Sequence, residues 1–303
     1  GSKANGTLTT TGSNSGGNVN GISAILTVNG DTSAVDRDVL NVDETGETGG
    51  SAGFLNSTML TGLGMTGRVE YDTLELLDIN LGPGSDQFTI SDTYSYVTVL
   101  NSNSGLDRIA VKGVSGLTTV NAGADNDTIY VGSNATLAAT PNLDTNSGGN
   151  VNSISAPLTI NGDDNGSEGP GDVVNVDETG DLAVNDGTLT TNRIWGLGMP
   201  ESTESDNGIT YETVETLNLS LGKGLNTFNV QSTSPTTTTT LNTLSATSSV
   251  TGVVYDLGSR LATITTATAH NLTSGQLVGI RNVLGAVGVN GDFIVNSVCL
   301  LYT

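Results

Sequence analysis

Three short turns, Gly82-Pro83-Gly84-Ser85-Asp86, Asn103-Ser104-Gly105-Leu106-Asp107 and Gly123-Ala124-Asp125-Asn126-Asp127, each run directly into an alternating segment: QFTI, RIAV and TIYV. Their closing aspartates lie 21 and 20 residues apart. A fixed period near twenty with one turn per period implies coils that stack on copies of themselves, because one coil alone cannot bury its apolar face. The spacing therefore predicts an all-β chain folded as a right-handed parallel β-helix or β-roll solenoid. A rigid, extended scaffold is the expectation that follows, ahead of an enzyme.

A longer repeat contains the short one. SGGNVN at 15–20 returns at 147–152, NVDETG at 41–46 returns at 175–180, GLGM at 62–65 returns at 196–199, and INLGPG at 79–84 returns as LSLGKG at 219–224. The offsets grow from 132 to 140 because the second copy carries extra residues at 164–171 and 200–208. Insertions that leave the flanking pattern intact mark surface loops. LTVNG at 26–30 and LTING at 158–162, with Asp38 before VLNV and Asp172 before VVNV, read as further rungs. Residues 43–70 and 177–209 leave the rhythm and predict an excursion with a short hairpin or strand. SPTTTTTLNT at 233–242 stands where the first unit has TYSYVTVLNS, as an edge strand or a linker. The expected domains are a solenoid over 1–248, made of units 15–146 and 147–248 with the second incomplete, and a small antiparallel β-module over 249–298.

The charge of −22, from 31 acidic and 9 basic residues, repels phosphate backbones and anionic membranes, so no nucleic-acid partner and no direct membrane insertion are expected. No apolar run approaches the roughly 18 residues a bilayer span needs. Acidity of this degree also suits divalent cations or a high-salt medium. The single cysteine, in Cys299-Leu300-Leu301-Tyr302-Thr303, supports neither a disulfide framework nor a metal site. That pentapeptide is also what TGTCTCTTATACACA, the end of a common transposon-based sequencing adapter, encodes; residues 299–303 are read as such an artefact, ending a fragment of a larger chain.

The pattern G-x-x-x-D-x-Φ-x-Φ resembles the nonapeptide repeat of the RTX secreted proteins, in which turns one coil apart hold Ca2+. The resemblance implies Ca2+ as cofactor, since the ion takes six to eight oxygens at about 2.3–2.6 Å and stacking brings carboxylates together at the strand spacing. The candidate ligands are Asp125 and Asp127 in one turn, then Asp107 and Asp86 one and two coils away. Asp38 and Asp172, with Asp31 and Asp163, are the second-line set. The pattern departs from the family's in lacking the double glycine, in placing Arg108 directly after Asp107, and in having Asn226 where the first unit has Asp86. The plainer account of these residues is that tight turns need Asp, Asn and Gly. NVDETG, with Asp43-Glu44 and Asp177-Glu178, reads as a solvated turn; Asn41 and Asn175 before it suggest inward-facing asparagine ladders.

Catalysis by a β-helix of the polysaccharide-lyase or depolymerase kind needs a base beside acidic ligands or a carboxylate pair across a cleft. The nine basic residues are scattered, the sole histidine, His270, sits in a bend of the C-terminal module, and no G-x-S-x-G elbow occurs. TITTATAHNLTSGQLVGI resembles a short module of bacterial surface and phage-tail proteins. Together the resemblances imply a non-enzymatic structural or adhesive region of a large secreted or cell-surface bacterial protein, with carbohydrate or cell-surface ligands as partners. The alternative is a phage-tail or secreted carbohydrate-active β-helix.

Overall fold

The computed structural model describes residues 15–32, 37–163, 171–200, 207–224, 226–243, 250–256, 261–266, 274–275, 277–280 and 291–298. His270, residues 299–303 and most of the two insertions lie outside this set. The chain divides into two compact units, 1–244 and 245–303.

The strands of the first repeat are β1 (Ile25–Asn29), β2 (Val39–Asp43), β3 (Ala52–Asn56), β4 (Met59–Gly62), β5 (Arg68–Asp72), β6 (Leu76–Asn80), β7 (Gln87–Ile90), β8 (Val97–Asn101), β9 (Arg108–Val111), β10 (Thr118–Asn121) and β11 (Thr128–Val131). Those of the second are β12 (Leu158–Asn161), β13 (Val173–Asp177), β14 (Asp186–Leu189), β15 (Arg193–Gly196), β16 (Ile209–Glu212), β17 (Thr216–Leu221), β18 (Thr227–Val230) and β19 (Thr238–Thr243). They form two long sheets, ordered β1-β5-β4-β3-β7-β9-β11-β13-β17-β19 and β18-β14-β15-β16-β12-β10-β8-β6-β2. From β6 to β13 the chain alternates between the sheets, one strand in each per coil, and neighbours pair in parallel. The twenty-residue period is this two-strand coil.

Short β-branched segments suit the arrangement because each strand is half-buried: Phe88, Ile90, Ile109, Val111, Ile129 and Val131 from one sheet and Leu77, Ile79, Leu100, Val120, Leu158 and Ile160 from the other enter one hydrophobic core. The turns stack backbone on backbone. Gly123, at φ +90°, leaves no room for a side chain, since a Cβ there would stand 1.8 Å from the Asn103 carbonyl oxygen.

The excursions are β-meanders. From β2 the chain enters the ten-stranded sheet at β3, turns back through antiparallel β4 and β5, and fills the space between β3 and β1 before continuing at β6 and β7. β14, β15 and β16 repeat this in the other sheet, between β12 and β18. Because β12 follows β1 by an odd number of strands, equivalent strands of the two repeats occupy opposite sheets: β1 and β12, β2 and β13, β6 and β17, β7 and β18, β8 and β19. The Thr-rich run becomes β19, the terminal strand of its sheet, pairing with β17 as β8 pairs with β6.

In the C-terminal unit, β20 (Val250–Asp256) pairs antiparallel with β21 (Leu261–Thr266), and β22 (Leu277–Ile280) with β23 (Gly291–Ile294). Among the described residues the only helical turn is the 3-10 turn Pro141–Leu143, and no helix is long and apolar enough to cross a membrane.

Candidate functional site

Asp86, Asp107, Asp127 and Asp172 each occupy the residue before a strand of the ten-stranded sheet, and the register of β7, β9, β11 and β13 stacks them in one column. Each side chain reaches back one coil. The Ser51 N–H donates to Asp86 Oδ1 (2.6 Å), the Asp86 N–H to Asp107 Oδ1 (2.6 Å), the Asp107 N–H to Asp127 Oδ1 (2.7 Å), the Asp127 N–H to Asp172 Oδ1 (2.7 Å) and the Asp172 N–H to Glu215 Oε2 (2.7 Å). The physical need is plain. These amides sit where the strand ladder gives way to a turn, inside the protein, and a buried N–H without an acceptor is costly.

The column is costly in another way, since all four aspartates are at most 2% exposed. Oδ2 of Asp86, Asp107 and Asp127 has no hydrogen-bond partner among the described residues. Burial pushes the carboxyl of Asp86 up to about 6, that of Asp107 to about 7 and that of Asp127 to about 9; the backbone amides pull the other way, and neighbouring carboxylates add to the rise.

Of the sequence-predicted ligands, the structure thus brings together Asp86, Asp107, Asp127 and Asp172. Asp125 does not join them. It lies exposed at φ +83°, its carboxylate accepting the Gly105 N–H at 3.3 Å, so the turn that carries both residues sends one carboxylate inward and leaves the other in solvent. Asp38 stands apart because the repeat exchanges sheets: it precedes β2 in the nine-stranded sheet, where it accepts the Asp31 N–H (2.6 Å) and donates its own N–H to Glu75 (2.6 Å). Asp163 is exposed, its N–H donating to Thr213 Oγ1 (2.8 Å). Asn226, the counterpart of Asp86, accepts the Asn185 N–H (3.1 Å) just as Asp86 accepts that of Ser51. An uncharged side chain therefore does the same work, which identifies an amide acceptor as the requirement at this position.

Each column carboxylate has committed Oδ1 to an amide, one side chain enters per coil, and among the described residues no three acidic, histidine or cysteine side chains converge as a ligand set. Arg108, which follows Asp107, contributes nothing inward. Its guanidinium donates to Asp144 (2.7 Å) and to the Ala138 carbonyl (2.9 Å), fastening the loop after β11.

The repeated motifs SGGNVN and NVDETG prove to be two halves of one clasp; Gly46 and Gly180 of the turn are exposed, but the acidic pairs Asp43-Glu44 and Asp177-Glu178, read as solvated, are buried. In the first unit Gly17 N–H donates to Asp43 (2.9 Å), Val19 N–H to Glu44 (2.8 Å) and Gly46 N–H to the Gly17 carbonyl (2.7 Å). In the second, Gly149 N–H donates to Asp177 (2.7 Å), Val151 N–H to Glu178 (2.8 Å) and Gly180 N–H to the Gly149 carbonyl (2.7 Å). Glu44 and Glu178 are fully buried, which raises both carboxyls, that of Glu178 to about 8. The only sequence signal for this clasp was that both halves recur together.

Asparagine ladders are present but on the side opposite the core. Asn161 donates to Asn121 (2.7 Å), Asn121 to Asn101 (2.6 Å) and Asn101 to Asn80 (2.9 Å), alternating with buried residues along each strand. Asn218 donates to Asn175 (3.0 Å), whereas Asn41 donates to Asp78 (3.3 Å). No family model matches this chain, and no curated protein or solved structure matches it.

Proposed function

We propose that the stacked unit is a non-catalytic scaffold of a secreted or cell-surface protein, serving spacing or adhesion. The supporting observation is the joint between the two repeats, where both sheets continue without interruption although the strands have exchanged sides. Ten strands at a spacing of about 4.8 Å make a body about 45 Å long whose buried carboxylates are engaged in holding coil to coil. The test pairs small-angle scattering of the intact chain with a polysaccharide panel. A stiff particle whose dimensions hold from low to high salt, and no release of reducing ends, is the expected result; depolymerisation overturns the reading in favour of the carbohydrate-active β-helix.

Two further readings have an observation behind them. The row of unpartnered Oδ2 atoms calls for neutralisation, by protons or by Ca2+. Asn226 favours protons, and thermal unfolding in EDTA and in millimolar Ca2+, with Mg2+ and NaCl as controls, separates the two: a Ca2+-specific rise abolished by D107N and D127N establishes the metal. A carbohydrate partner is favoured by Tyr94 and Tyr96, whose rings stack at 5.9 Å and 24° beside Asp72, with Tyr96 exposed. A flat aromatic face next to a carboxylate is a surface on which a sugar ring can lie. Glycan-array binding lost in Tyr96→Ala supports it, and an unaltered binding profile removes it.

A further inference from the structure

Among the described residues, nothing covers the first coil of the stack. β1 and β2 end the two sheets and pair along one edge only, with β5 and β6. Leu26 is 45% exposed and lines a hollow at this end with Val19, Ile22 and Leu40, which like Val28 are only partly buried. The second unit carries apolar residues in the same places, identical at Val151, Ile154 and Leu158 and exchanged for Ile160 and Val174 at the other two, and there all five are 0% exposed. The difference lies in what covers them. The last coil of the first unit lays β10 along β12 and β11 along β13; the Ser133 N–H meets the Asn150 carbonyl (2.8 Å), and Val114 bridges to Ile154.

We propose that the open end of the first unit is a docking face for a further coil of this same repeat, of the kind formed by β10 and β11, so that units join end to end as these two do. The arrangement is specific as well as apolar. Asp38 occupies the position of Asp172, and so would accept the amide that Asp127 of the incoming coil offers, lengthening the ladder by one rung. The sequence agrees: GSKANGTLTTTGSN at 1–14, ahead of the first SGGNVN, shares its Gly-Ser start, its Thr-Leu pair and its final Asn with GSNATLAATPNLDTN at 132–146, which leads from β11 into the second SGGNVN. An unpaired, apolar sheet end is also the kind of edge that other strands add to.

The docking extends the scaffold reading, from which it takes only the end-to-end addition of units. The experiment places a second copy of residues 15–146 ahead of Ser15, in place of residues 1–14, and follows hydrogen exchange. Amides of β1 and β2 in the original unit are expected to slow at least a hundredfold, toward the protection of β12 and β13. Leu26→Ala, mild in the unextended chain, is expected to lower the urea midpoint of the extended one as far as Leu158→Ala does. Unchanged exchange in β1 and β2 while β7–β11 of the added unit are protected overturns the proposal, as does an added unit that stays unprotected. Polysaccharide cleavage would end the scaffold reading and leave this result standing.

Discussion

Replacing Asp127 by Asn tests the carboxylate column through the slope of stability against pH. Asp127 is 1% exposed and its carboxyl is pushed up to about 9 by burial, whereas in the unfolded chain it titrates near 3.9. The folded state therefore keeps a proton that the unfolded state has released. A carboxyl with a raised folded pKa stabilises fully below its unfolded pKa, and the contribution falls away as pH rises to the folded one. Each retained proton tilts unfolding free energy downward by about 1.4 kcal/mol per pH unit. Asp86 drops out near 6 and Asp107 near 7, so of these three only Asp127 still contributes slope between about pH 7 and 9, while Glu178 of the clasp adds its own up to about 8. Asn keeps Oδ1 as acceptor for the Asp107 N–H and carries no titrating proton. The D127N chain should be less steep than the wild type by on the order of 1 kcal/mol per pH unit across that window. At pH 5, where both side chains are neutral, the two should differ by about 1 kcal/mol or less. Urea unfolding followed by circular dichroism at half-unit pH steps reads this directly. Parallel profiles from pH 7 to 9 would refute a protonated column.

Asp86→Asn should be nearly neutral at pH 5 and mildly stabilising at pH 8, because Asn226 already fills the equivalent place; a loss above about 2 kcal/mol in urea unfolding would show that charge is needed there. Glu178→Ala leaves the Val151 N–H buried without its acceptor and should cost about 2–3 kcal/mol, more than Glu44→Ala, whose partner Val19 is only partly buried; equal losses would count against the clasp. Arg108→Ala should leave the core intact while limited proteolysis begins to cut between residues 134 and 146, where Asp144 has lost its ion pair.

What the sequence made legible was periodic. The interval between Asp86, Asp107 and Asp127 set both the coil length and the column, because parallel strands in register repeat whatever the turn repeats. Whether a turn residue points in or out was not legible. Asp125 and Asp127 differ by two positions, which on a strand would share a face, yet the left-handed conformation at Asp125 breaks that alternation. The clasp escaped notice because Val19 and Glu44 are 25 residues apart and meet only once the strands have stacked. The exchange of sheets was hidden in the number of crossings per repeat: the whole excursion stays in the sheet it enters, and the remaining strands carry the chain across an odd number of times before the next repeat begins.

The coil as the unit of addition has a consequence in the other direction, for deletion. Removing residues 107–126 takes out one whole coil, β9 and β10, and joins the turn ending at Leu106 directly to Asp127. β7 would then meet β11 and β8 would meet β12, with Asp86 N–H donating to Asp127 as it now does to Asp107. Every remaining strand keeps its sheet and its inward face; the loss is the burial of Ile109, Val111, Val114 and Val120, spread over one coil of a long stack, together with the Arg108–Asp144 pair. Removing residues 107–117 alone takes out half a coil and sends every following strand to the opposite sheet, where β10 would have to pair with β7 and both meanders would fall in one sheet, leaving the two sheets badly unequal in strand number. In a stack governed by nearest-neighbour contacts, the longer deletion should fold with a lowered midpoint and protected amides in β7, β8, β11 and β12. The shorter should lose protection throughout 75–243. If the shorter deletion is the better tolerated of the two, the coil is not the unit from which this protein is built.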